Sequence, residues 1–173
     1  LEAAVNDPAQ VDAALDIFGT PDVLVNNAGI VRFGPLLDQT VDDWRAVVDV
    51  NLTGMFVCST ACARRMAGAG GGSIVSITSI NGIAPGPNAG AYGATKAAIN
   101  MLSQQMSIEW GPMGVRVNTV APGLIDGGMS APIFADPAFR RRRTQKVPSG
   151  RLGTVEDIAK AVLYLCSDDA EYI

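Results

Sequence analysis

Short apolar runs alternate with longer stretches of helical periodicity along most of the chain. The runs are rich in Val and Ile, end at glycine, proline or polar residues, and predict buried strands. These strands are predicted at 22–26, 73–78 and 115–120. The stretches around them place apolar residues at helical spacing, and they predict helices at 8–18, 40–67, 92–110 and 154–166.

The ends of two predicted helices carry recognisable capping residues. Asp7 precedes a proline suited to the first helical turn, and Gly19 follows as a stop. Thr154 and Asp157 have the spacing of a capping box, in which each side chain bonds the backbone N–H of the other residue. Residues 124–150 lack clear periodicity, so we predict that this segment is rich in loops.

The order of these elements predicts the fold class. Strands that alternate with long helices indicate an α/β fold, in which right-handed crossovers build a parallel sheet with helices on both faces. Because parallel strands point the same way, the residues that follow them meet at one edge, where ligands of such sheets bind. Asn26, Ser79 and Pro122 lie at or just beyond the three predicted strands. The sequence therefore predicts one functional edge and a single domain over residues 1–173.

The composition excludes several classes of protein. The chain is 48% hydrophobic and 17% charged, which is typical of a folded core and not of a disordered chain. A net charge of -4 does not supply the basic face that nucleic-acid binding requires, so we expect no nucleic-acid partner. The complete lack of histidine excludes hydrolases with a histidine base and zinc sites built on histidine.

Membrane, metal and secretion signals are not predicted. The most apolar stretch, 47–63, contains Asp49 and Asn51, so it offers no uninterrupted run long enough to cross a bilayer. The three cysteines have no CxxC spacing, so we expect small core residues, no metal site and a reducing compartment. Because no leader with a basic start and an apolar run is visible, we interpret the protein as cytoplasmic, without a membrane partner.

Tyr92 and Lys96 are the strongest candidates for proton transfer. They stand four residues apart at the start of a predicted helix, so both side chains project from one face. A phenol with a pKa of about 10 needs stabilisation of its anion to work near neutral pH, and we expect the Lys96 ammonium to lower the pKa of Tyr92. Ser79, at a strand end, could hold a carbonyl oxygen meanwhile. Taken alone, however, a Tyr and Lys at this spacing is more often a surface pair.

Several motifs together resemble those of the short-chain dehydrogenase/reductase family in order and spacing. They are Asn26-Asn27-Ala28-Gly29, Val50-Asn51-Leu52, Ser79, Tyr92-Gly93-Ala94-Thr95-Lys96 and Pro122-Gly123. The similarity covers nearly all 173 residues, as far as 151–159, which resembles the start of the last helix in that family. By this resemblance the chain is identified as a member of the single-domain subgroup.

The resemblance implies a partial, doubly wound, Rossmann-like parallel sheet and a catalytic tetrad. It implies that Tyr92 is the general acid/base, that Lys96 lowers the pKa of Tyr92 and holds the nicotinamide ribose, and that Ser79 orients the substrate oxygen. Asn51, a polar residue among apolar neighbours, would support a proton-relay water. The cofactor, NAD or NADP, would contact residues at the strand ends, namely Asn26, Ala28, Gly29, Tyr92, Lys96, Pro122, Gly123 and Ile125.

The implied reaction is hydride transfer between a nicotinamide and a small-molecule carbonyl or alcohol, as in 3-oxoacyl reductases. The spacing of four between Tyr92 and Lys96 favours such substrates over those of the family's enoyl reductases, in which that spacing is longer. A non-catalytic binding or scaffold member of the family is the alternative, and the intact tetrad argues against it. An inactive fragment is the third case.

Both ends of the chain depart from the family pattern. The first strands and their glycine-rich phosphate turn have no counterpart here, and the final strand, expected after Ile173, is missing. Residues 68–72 are rich in glycine, but they follow a helix and precede a strand, the reverse of the order that phosphate binding needs, and so predict a surface turn. We interpret the chain as truncated at both ends and expect weak folding, aggregation and no turnover by itself.

Two further features concern substrate and assembly. Four consecutive arginines, 140–143, lie where the family has its substrate lid. A solvated helical turn is one interpretation, and a site for an acidic or phosphorylated substrate, such as one on an acyl carrier, is the other. The resemblance also implies a homodimer or homotetramer through the two long helices. Met101, Met106 and Trp110 are candidates either for that interface or for the core.

Overall fold

Three parallel strands form the centre of the computed structural model, which describes residues 2–173. The strands are β1 (Val23–Asn26), β2 (Gly72–Ile77) and β3 (Val115–Val120). They pair in the order β1-β2-β3, with Asn26 opposite Ser76 and Ser76 opposite Thr119. All three predicted strands are confirmed, with ends that shift by at most one residue.

Helices precede and follow these strands. They are α1 (Pro8–Phe18), α2 (Val41–Val48), α3 (Gly54–Ala69), α4 (Ala91–Trp110), α5 (Ala131–Phe134), α6 (Pro137–Thr144) and α7 (Val155–Cys166). The predicted caps are confirmed, because Asp7 accepts hydrogen bonds from the first turn of α1 and Thr154 and Asp157 form a capping box on α7. The predicted α/β class with a partial, Rossmann-like parallel sheet is therefore correct.

The helix predicted at 40–67 is interrupted by a π-helical turn at Asp49–Thr53. The N–H of Gly54 donates to the carbonyl of Asp49, five residues back, so the backbone passes from α2 to α3 without leaving the helix. The prediction of one regular α-helix is wrong at this turn, because a single inserted residue hardly changes the apolar period of a long window. The turn places Asn51 in the interior.

Residues 124–150 are more helical than their sequence predicts, because they contain α5 and α6. Asp136 caps α6 by accepting from the N–H of Ala138, and Pro137 occupies the first turn. The arginines that follow are good helix formers, and the last three lie in the final turn, where the helix dipole favours cations. Capping and propensity thus outweigh the missing apolar period.

Helices cover both faces of the sheet. α3 and α4 pack on one face, and α7 packs on β2 and β3 from the other. The core against α3 and α4 holds Met55, Cys62, Ala63, Met66, Ile74, Ile99, Met106, Val115 and Val117. Burying each large apolar side chain of this kind stabilises a fold by about 1.5–3 kcal/mol, so this layer holds α4 firmly against β3.

β1 lies at the edge of the sheet, and one of its faces is open among the described residues. Val23 and Val25 are each 42% exposed, although Val is typical of buried strand positions. Leu24 and Asn26, which alternate with them, contact the covered side through the core and through Ser59. β1 pairs only with β2 in this sheet, so the exposed edge predicted from the sequence is present.

The outer faces of α3 and α4 also expose apolar side chains. Met101 is 67% exposed, and Phe56 and Ile108 are exposed as well. Met106, in contrast, is buried in the core, and Trp110 packs against the same cluster. Of the three candidate interface residues, Met101 is the most exposed, Trp110 is partly buried, and Met106 belongs to the core.

One helical stretch, Val41–Ala69, is long and apolar enough to cross a bilayer when mean hydropathy, rather than an uninterrupted apolar run, is the criterion. It is the only such stretch within residues 2–173. In the structure its α3 part is the central helix of the core, because Val57 packs with α1 and Met66 packs with the sheet. Burial in the core accounts for hydropathy of this kind.

Candidate active site

Hydrogen bonds between the ends of β2 and β3 bring the predicted functional edge together. The N–H and the hydroxyl of Thr78 both donate to the carbonyl of Val120, at 2.8 and 3.1 Å. The N–H of Ile80 donates to the carbonyl of Pro122 at 3.0 Å. Ser79 therefore lies between two anchored residues and beside the turn that begins at Pro122, which confirms the common edge predicted from the strand ends.

The 3-10 turn Ile80–Gly82 packs directly on α4. A Cβ atom at Gly82 would lie only 2.7 Å from the carbonyl carbon of Lys96, so a side chain there would push the two backbones apart. Glycine thus permits a close contact between this turn and the helix. The contact holds Ser79 beside the face of α4 that carries Tyr92.

Tyr92 and Lys96 share one face of α4, as their spacing predicts. The Lys96 Nζ atom lies 5.5 Å from the centroid of the Tyr92 ring. The same ammonium donates to the carbonyl of Ile77, at the end of β2, over 2.6 Å. Lys96 is only 5% exposed, so this hydrogen bond fixes an almost fully buried cation.

Burial dominates the proton affinities of this pair. It raises the pKa of the Tyr92 phenol above the ordinary value of 10.0, and a hydrogen bond with the neighbouring Ser79 hydroxyl lowers that pKa by a smaller amount. Burial also lowers the pKa of Lys96 from 10.5 to about 8. The pKa of the phenol is therefore not lowered overall in this arrangement, because the cost of burying the phenolate exceeds the stabilisation from Ser79. The lowering of that pKa by Lys96 stays a prediction.

Asn51 is hydrogen-bonded on both sides of its amide. Its Oδ1 accepts from the N–H of Ile30 at 2.8 Å, and its Nδ2 donates to the carbonyl of Ile30 at 2.9 Å and to the hydroxyl of Thr95 at 3.3 Å. The Thr95 hydroxyl donates in turn to the carbonyl of Tyr92 at 2.8 Å. A chain of hydrogen bonds thus links the loop after β1 to the start of α4.

Thr95 is a site residue that the sequence reasoning missed. It is buried, and within residues 2–173 it is the only group that hydrogen-bonds both to the Asn51 amide and to the backbone of Tyr92. The signal in the sequence was its place three residues after Tyr92, where a threonine hydroxyl can bond back to the preceding turn. The Ile77 carbonyl was missed as well, since no sequence pattern marks a backbone acceptor.

The loop after β1 is anchored in the same region. Asn26 donates from Nδ2 to the hydroxyls of Ser59 and Ser76, at 2.9 and 3.1 Å. A Cβ atom at Gly29 would lie 3.3 Å from Asn51 Oδ1 and 3.7 Å from Lys96 Nζ, so the loop backbone passes close to both side chains. The predicted residues Asn26 to Gly29 therefore meet two members of the predicted tetrad.

A cavity of about 160 Å³ lies beside β1, and Asn26, Ala28, Asn51 and Lys96 are among the residues that line it. The Lys96 ammonium has three N–H donors, and the described residues accept a hydrogen bond from one of them. The remaining donors suit a ligand with neighbouring hydroxyl oxygens, such as the ribose of a nicotinamide cofactor. The residues present therefore fit that group.

The predicted cofactor residues after β3 lie on the same edge but outside this cavity. Pro122 is joined to Ile80, as described above, and Gly123 is exposed. Ile125 pairs with Gly153 in an isolated parallel bridge. Ser79 and Tyr92 also lie outside the cavity, so the site consists of a recess beside β1 and two hydroxyls, one just after the end of β2 and one on α4.

The other candidate features do not join the site. The glycine-rich residues 68–72 form the surface turn between α3 and β2, in which Gly70 ends α3 in the left-handed conformation. Cys62 is buried in the core, where burial raises the pKa of its thiol to about 11. Cys58 is partly buried with a raised pKa, so neither thiol is a reactive group.

Comparison with known proteins adds a family and several relatives. A family model described as enoyl-(acyl carrier protein) reductase matches residues 2–173. The 3β-hydroxysteroid dehydrogenase 1 of Eggerthella lenta is 38% identical over 166 residues, which cover 95% of this chain and 64% of that protein. The 3-oxoacyl-[acyl-carrier-protein] reductase of Chlamydia muridarum is 40% identical over 165 residues, covering 95% and 66%. The chain thus spans slightly less than two thirds of these curated relatives.

Solved structures with the same fold extend over nearly the whole chain. A gluconate 5-dehydrogenase from Burkholderia cenocepacia, in complex with NADP and tartrate, superimposes with a TM-score of 0.94 and 37% identity. The match covers 98% of this chain and 68% of that structure. A short-chain type dehydrogenase/reductase from Mycobacterium ulcerans gives a TM-score of 0.94 at 32% identity, covering 99% and 64%.

Proposed function

Because the chain belongs to the short-chain dehydrogenase/reductase family, we propose that it forms the catalytic part of an NAD(P)-dependent oxidoreductase that interconverts a carbonyl and an alcohol. The observation that carries this proposal is the convergence of Ser79, Tyr92 and Lys96 on one strand edge, beside a recess that suits a ribose. Groups of this kind can bind a carbonyl oxygen and exchange a proton with it.

The cofactor, NAD or NADP, supplies or accepts the hydride when it is bound. On this chain, Lys96 and the loop from Asn26 to Gly29 would hold its nicotinamide ribose. Pro122, Gly123 and Ile125 would approach it from the end of β3. The ammonium of Lys96 is kept in place by its bond to Ile77 and has donors left for ribose oxygens.

Tyr92 is the proton donor when a carbonyl is reduced. Its raised pKa keeps the phenol protonated at neutral pH, and the Ser79 hydroxyl beside it can hold the same substrate oxygen. The nearby Lys96 ammonium stabilises the negative charge that develops on the phenol oxygen as Tyr92 gives up its proton. In the oxidation direction, the raised pKa leaves little phenolate at neutral pH, so little of the protein holds Tyr92 in the form that accepts a proton.

Asn51 acts on the reaction as a positioning residue. Its amide connects the loop after β1 to Thr95 and so to the start of α4. Thus it holds the cofactor side and the proton-donating side of the site at a constant distance. A proton-relay water beside Asn51, which the family resemblance implies, stays a prediction.

The substrate class follows from the pair on α4 rather than from the family model's description. That description names an enoyl reductase, whereas the relatives reported above are dehydrogenases of alcohols or a 3-oxoacyl reductase. The spacing of four between Tyr92 and Lys96 favours the carbonyl and alcohol reaction. The names of the relatives range from steroids to gluconate, so likeness alone favours no single compound, and a 3-oxoacyl substrate is one candidate.

The complete protein is proposed to be a cytoplasmic homodimer or homotetramer. The exposed apolar side chains of α3 and α4, Met101 among them, support the assembly, and the three free cysteines support a reducing compartment. Sedimentation of the complete protein with and without Met101→Lys tests the first point, and cell fractionation tests the second. A monomer in the wild type, or an exported protein, would contradict them.

Substitution of Tyr92 tests the mechanism. In the complete protein, Tyr92→Phe removes the proton donor but no core packing, so we expect kcat for carbonyl reduction to fall by about 10²–10⁴. The melting temperature should stay within a few degrees of the wild type. Tyr172→Phe, at a fully exposed tyrosine near the end of the chain, is the matched control. Turnover retained in Tyr92→Phe would refute the assignment.

The 173-residue chain by itself is expected to show no turnover. The exposed side chains of Val23 and Val25 and the unpaired backbone groups at the edge of β1 are available for association with other chains. Expression of residues 1–173 alone, followed by light scattering and an NAD(P)H oxidation assay, tests this expectation. A monodisperse and active product would contradict it.

A further inference from the structure

Residues 126–152 form an excursion that leaves the sheet edge and returns to it. Ile125 and Gly153 pair in parallel at its base, and two hydrogen bonds close it, from Asp126 N–H to the Gly153 carbonyl at 2.8 Å and from Gly153 N–H to the Leu124 carbonyl at 2.9 Å. The base lies a few residues beyond Pro122, which is bonded to the residue after Ser79. The excursion therefore starts and ends beside the candidate active site.

The charge of this part of the chain is opposite to that of the whole. From Pro137 to Val155 there is no Asp or Glu, although the chain carries a net charge of -4. The cations of this stretch are Arg140, Arg141, Arg142, Arg143, Lys146 and Arg151. A segregated positive region of this kind attracts anions to the surface on which it lies.

Two of these cations are neutralised within the fold. Arg140 forms a salt bridge of 2.6 Å with Asp126, and Arg151 forms one of 2.6 Å with Asp157. Among residues 2–173, none of the other four takes part in a salt bridge. The positive charges of Arg141, Arg142, Arg143 and Lys146 are thus free to act on a ligand.

The bridge to Asp126 also decides which face of α6 is turned towards the base of the excursion. Arg140 lies on that face, and Arg143, three residues later, lies on the same side of the helix. Arg142 and Arg143 stack over the Phe139 ring, with guanidinium carbons 5.8 and 5.6 Å from its centroid. The Phe139 ring packs in turn against the buried Phe134.

Arg143 has a buried donor that is left over. Its Nε atom is inaccessible to solvent and has no hydrogen-bond acceptor among the described residues. A buried N–H without an acceptor is costly, so native structures normally supply one. The stacked guanidinium is held in place and offers the planar fork that suits a carboxylate or a phosphate.

We propose that Arg143 binds the anionic group, a carboxylate or a phosphate, of a small carbonyl or alcohol substrate, and that Arg141, Arg142 and Lys146 attract such substrates to the excursion. The proposal rests on the proposed oxidoreductase function. It narrows the substrate class to small acids or phosphate esters in which the carbonyl or alcohol carbon that reacts is separate from the carboxylate or phosphate that Arg143 binds.

Thermal shift measurements on the complete protein test binding independently of turnover. The probes are levulinate with its methyl ester, and dihydroxyacetone phosphate with dihydroxyacetone, all at constant ionic strength. We expect at least one anionic probe to raise Tm well above its neutral partner in the wild type, less so in Arg143→Lys, and no more than its neutral partner in Arg143→Gln. Equal shifts for acid and neutral partner, or a shift that survives in Arg143→Gln, would overturn the proposal.

Kinetics with the same pairs test selectivity. We expect kcat/KM to favour the anionic partner by about tenfold or more, a preference that Arg143→Gln abolishes and Arg64→Gln, at an exposed arginine of α3, leaves in place. Selectivity that is unchanged in Arg143→Gln would contradict the role of Arg143. If no carbonyl compound is reduced while the thermal shifts depend on Arg143, the proposed reaction fails and the anion site stands.

A triple variant tests whether Arg141, Arg142 and Lys146 attract anionic substrates. The triple variant R141Q/R142Q/K146Q should lower kcat/KM for the acids several-fold at low salt and hardly at all at high salt. The matched triple R45Q/R64Q/K160Q removes the same charge from exposed positions elsewhere and should have a much smaller effect. Equal effects of the two triple variants would refute attraction by the excursion. If only an acidic carrier protein, and none of the small acids, showed a dependence on Arg143, the carrier protein and not a small acid would be the ligand of Arg143, and the proposal would be overturned.

Discussion

Replacement of Lys96 by methionine removes the proposed catalytic cation together with the free-energy cost of burying it. Burial lowers the pKa of Lys96 from 10.5 to about 8, which corresponds to roughly 3 kcal/mol against the charged form, at about 1.4 kcal/mol per pKa unit. The folded protein carries this whole cost near neutral pH, where Lys96 is charged in both the folded and the unfolded states. Methionine has similar length and no charge, so Lys96→Met removes the cost.

The sign of the pH dependence follows from which state holds the proton. Below about pH 8 both states are protonated, so Lys96 adds no slope. Above that pH, the folded state loses the proton before the unfolded state does, and the free energy of unfolding therefore rises with pH by up to about 1.4 kcal/mol per unit. The raised pKa of Tyr92 has the opposite effect, but only above about pH 10, where an unfolded tyrosine ionises.

At neutral pH the gain in Lys96→Met is offset by loss of the hydrogen bond to Ile77, a charged hydrogen bond worth about 1.5–3 kcal/mol. The free energies of unfolding of the two proteins should therefore be similar near pH 7, and only the wild type should become more stable between about pH 8 and pH 10. Denaturant unfolding of the complete, cofactor-free protein at fixed concentration measures this difference. Lys160→Met, at an exposed position of α7, is the control. Parallel curves for wild type and Lys96→Met would refute the reasoning.

Two further substitutions test how the site is held. Asn51→Ala leaves the N–H and carbonyl of Ile30 without their partners, so we expect the free energy of unfolding in denaturant to fall by about 2–3 kcal/mol. We also expect a higher KM for NAD(P)H, and an unchanged KM would contradict the link between the loop after β1 and α4. Gly82→Ala forces a Cβ against the Lys96 backbone, so kcat should fall at least about tenfold, whereas Gly68→Ala, with open space around it, should have no effect. Equal activity of the two alanine variants would refute the role given to the close contact.

The fold was accessible from the sequence wherever local signals and burial agree. β1 and β3 are short segments in which Val recurs between glycine, proline and polar residues, and α7 begins at a capping box. The π turn at Asp49–Thr53 was not accessible, because the stretch around it is so apolar that the rotation of about 100° caused by one extra residue leaves no visible gap in its pattern. α6 was hidden for the opposite reason, since its polar sequence leaves no apolar period to detect.

The candidate site likewise has parts that could be predicted from the sequence and parts that could not. Helical spacing predicts that Tyr92 and Lys96 lie on the same face of α4. Parallel topology predicts that the strand ends that carry Asn26 and Ser79 lie at one edge of the sheet. The sign of the pKa shift at Tyr92 does not follow from spacing, because the degree of burial depends on how the turn after Ser79 packs on α4. Proximity of a cation lowers the pKa of an acid overall only where its attraction for the anion exceeds the cost of removing that anion from solvent.

The packing of the turn after Ser79 on α4 buries the Tyr92 phenol and so raises its pKa, which decides its protonation state near neutral pH. A buried tyrosine with a raised pKa keeps its proton near neutral pH, so in the proposed reaction the phenol is available to donate to an oxygen held by Ser79, and it must lose that proton before it can act as a base for an alcohol. Lys96, with a pKa near 8, remains largely charged in the same range and loses its charge as the pH rises. Both groups are therefore in their donating forms below about pH 8, and the hydrogen-bond chain through Asn51 holds α4 in the geometry that puts them side by side.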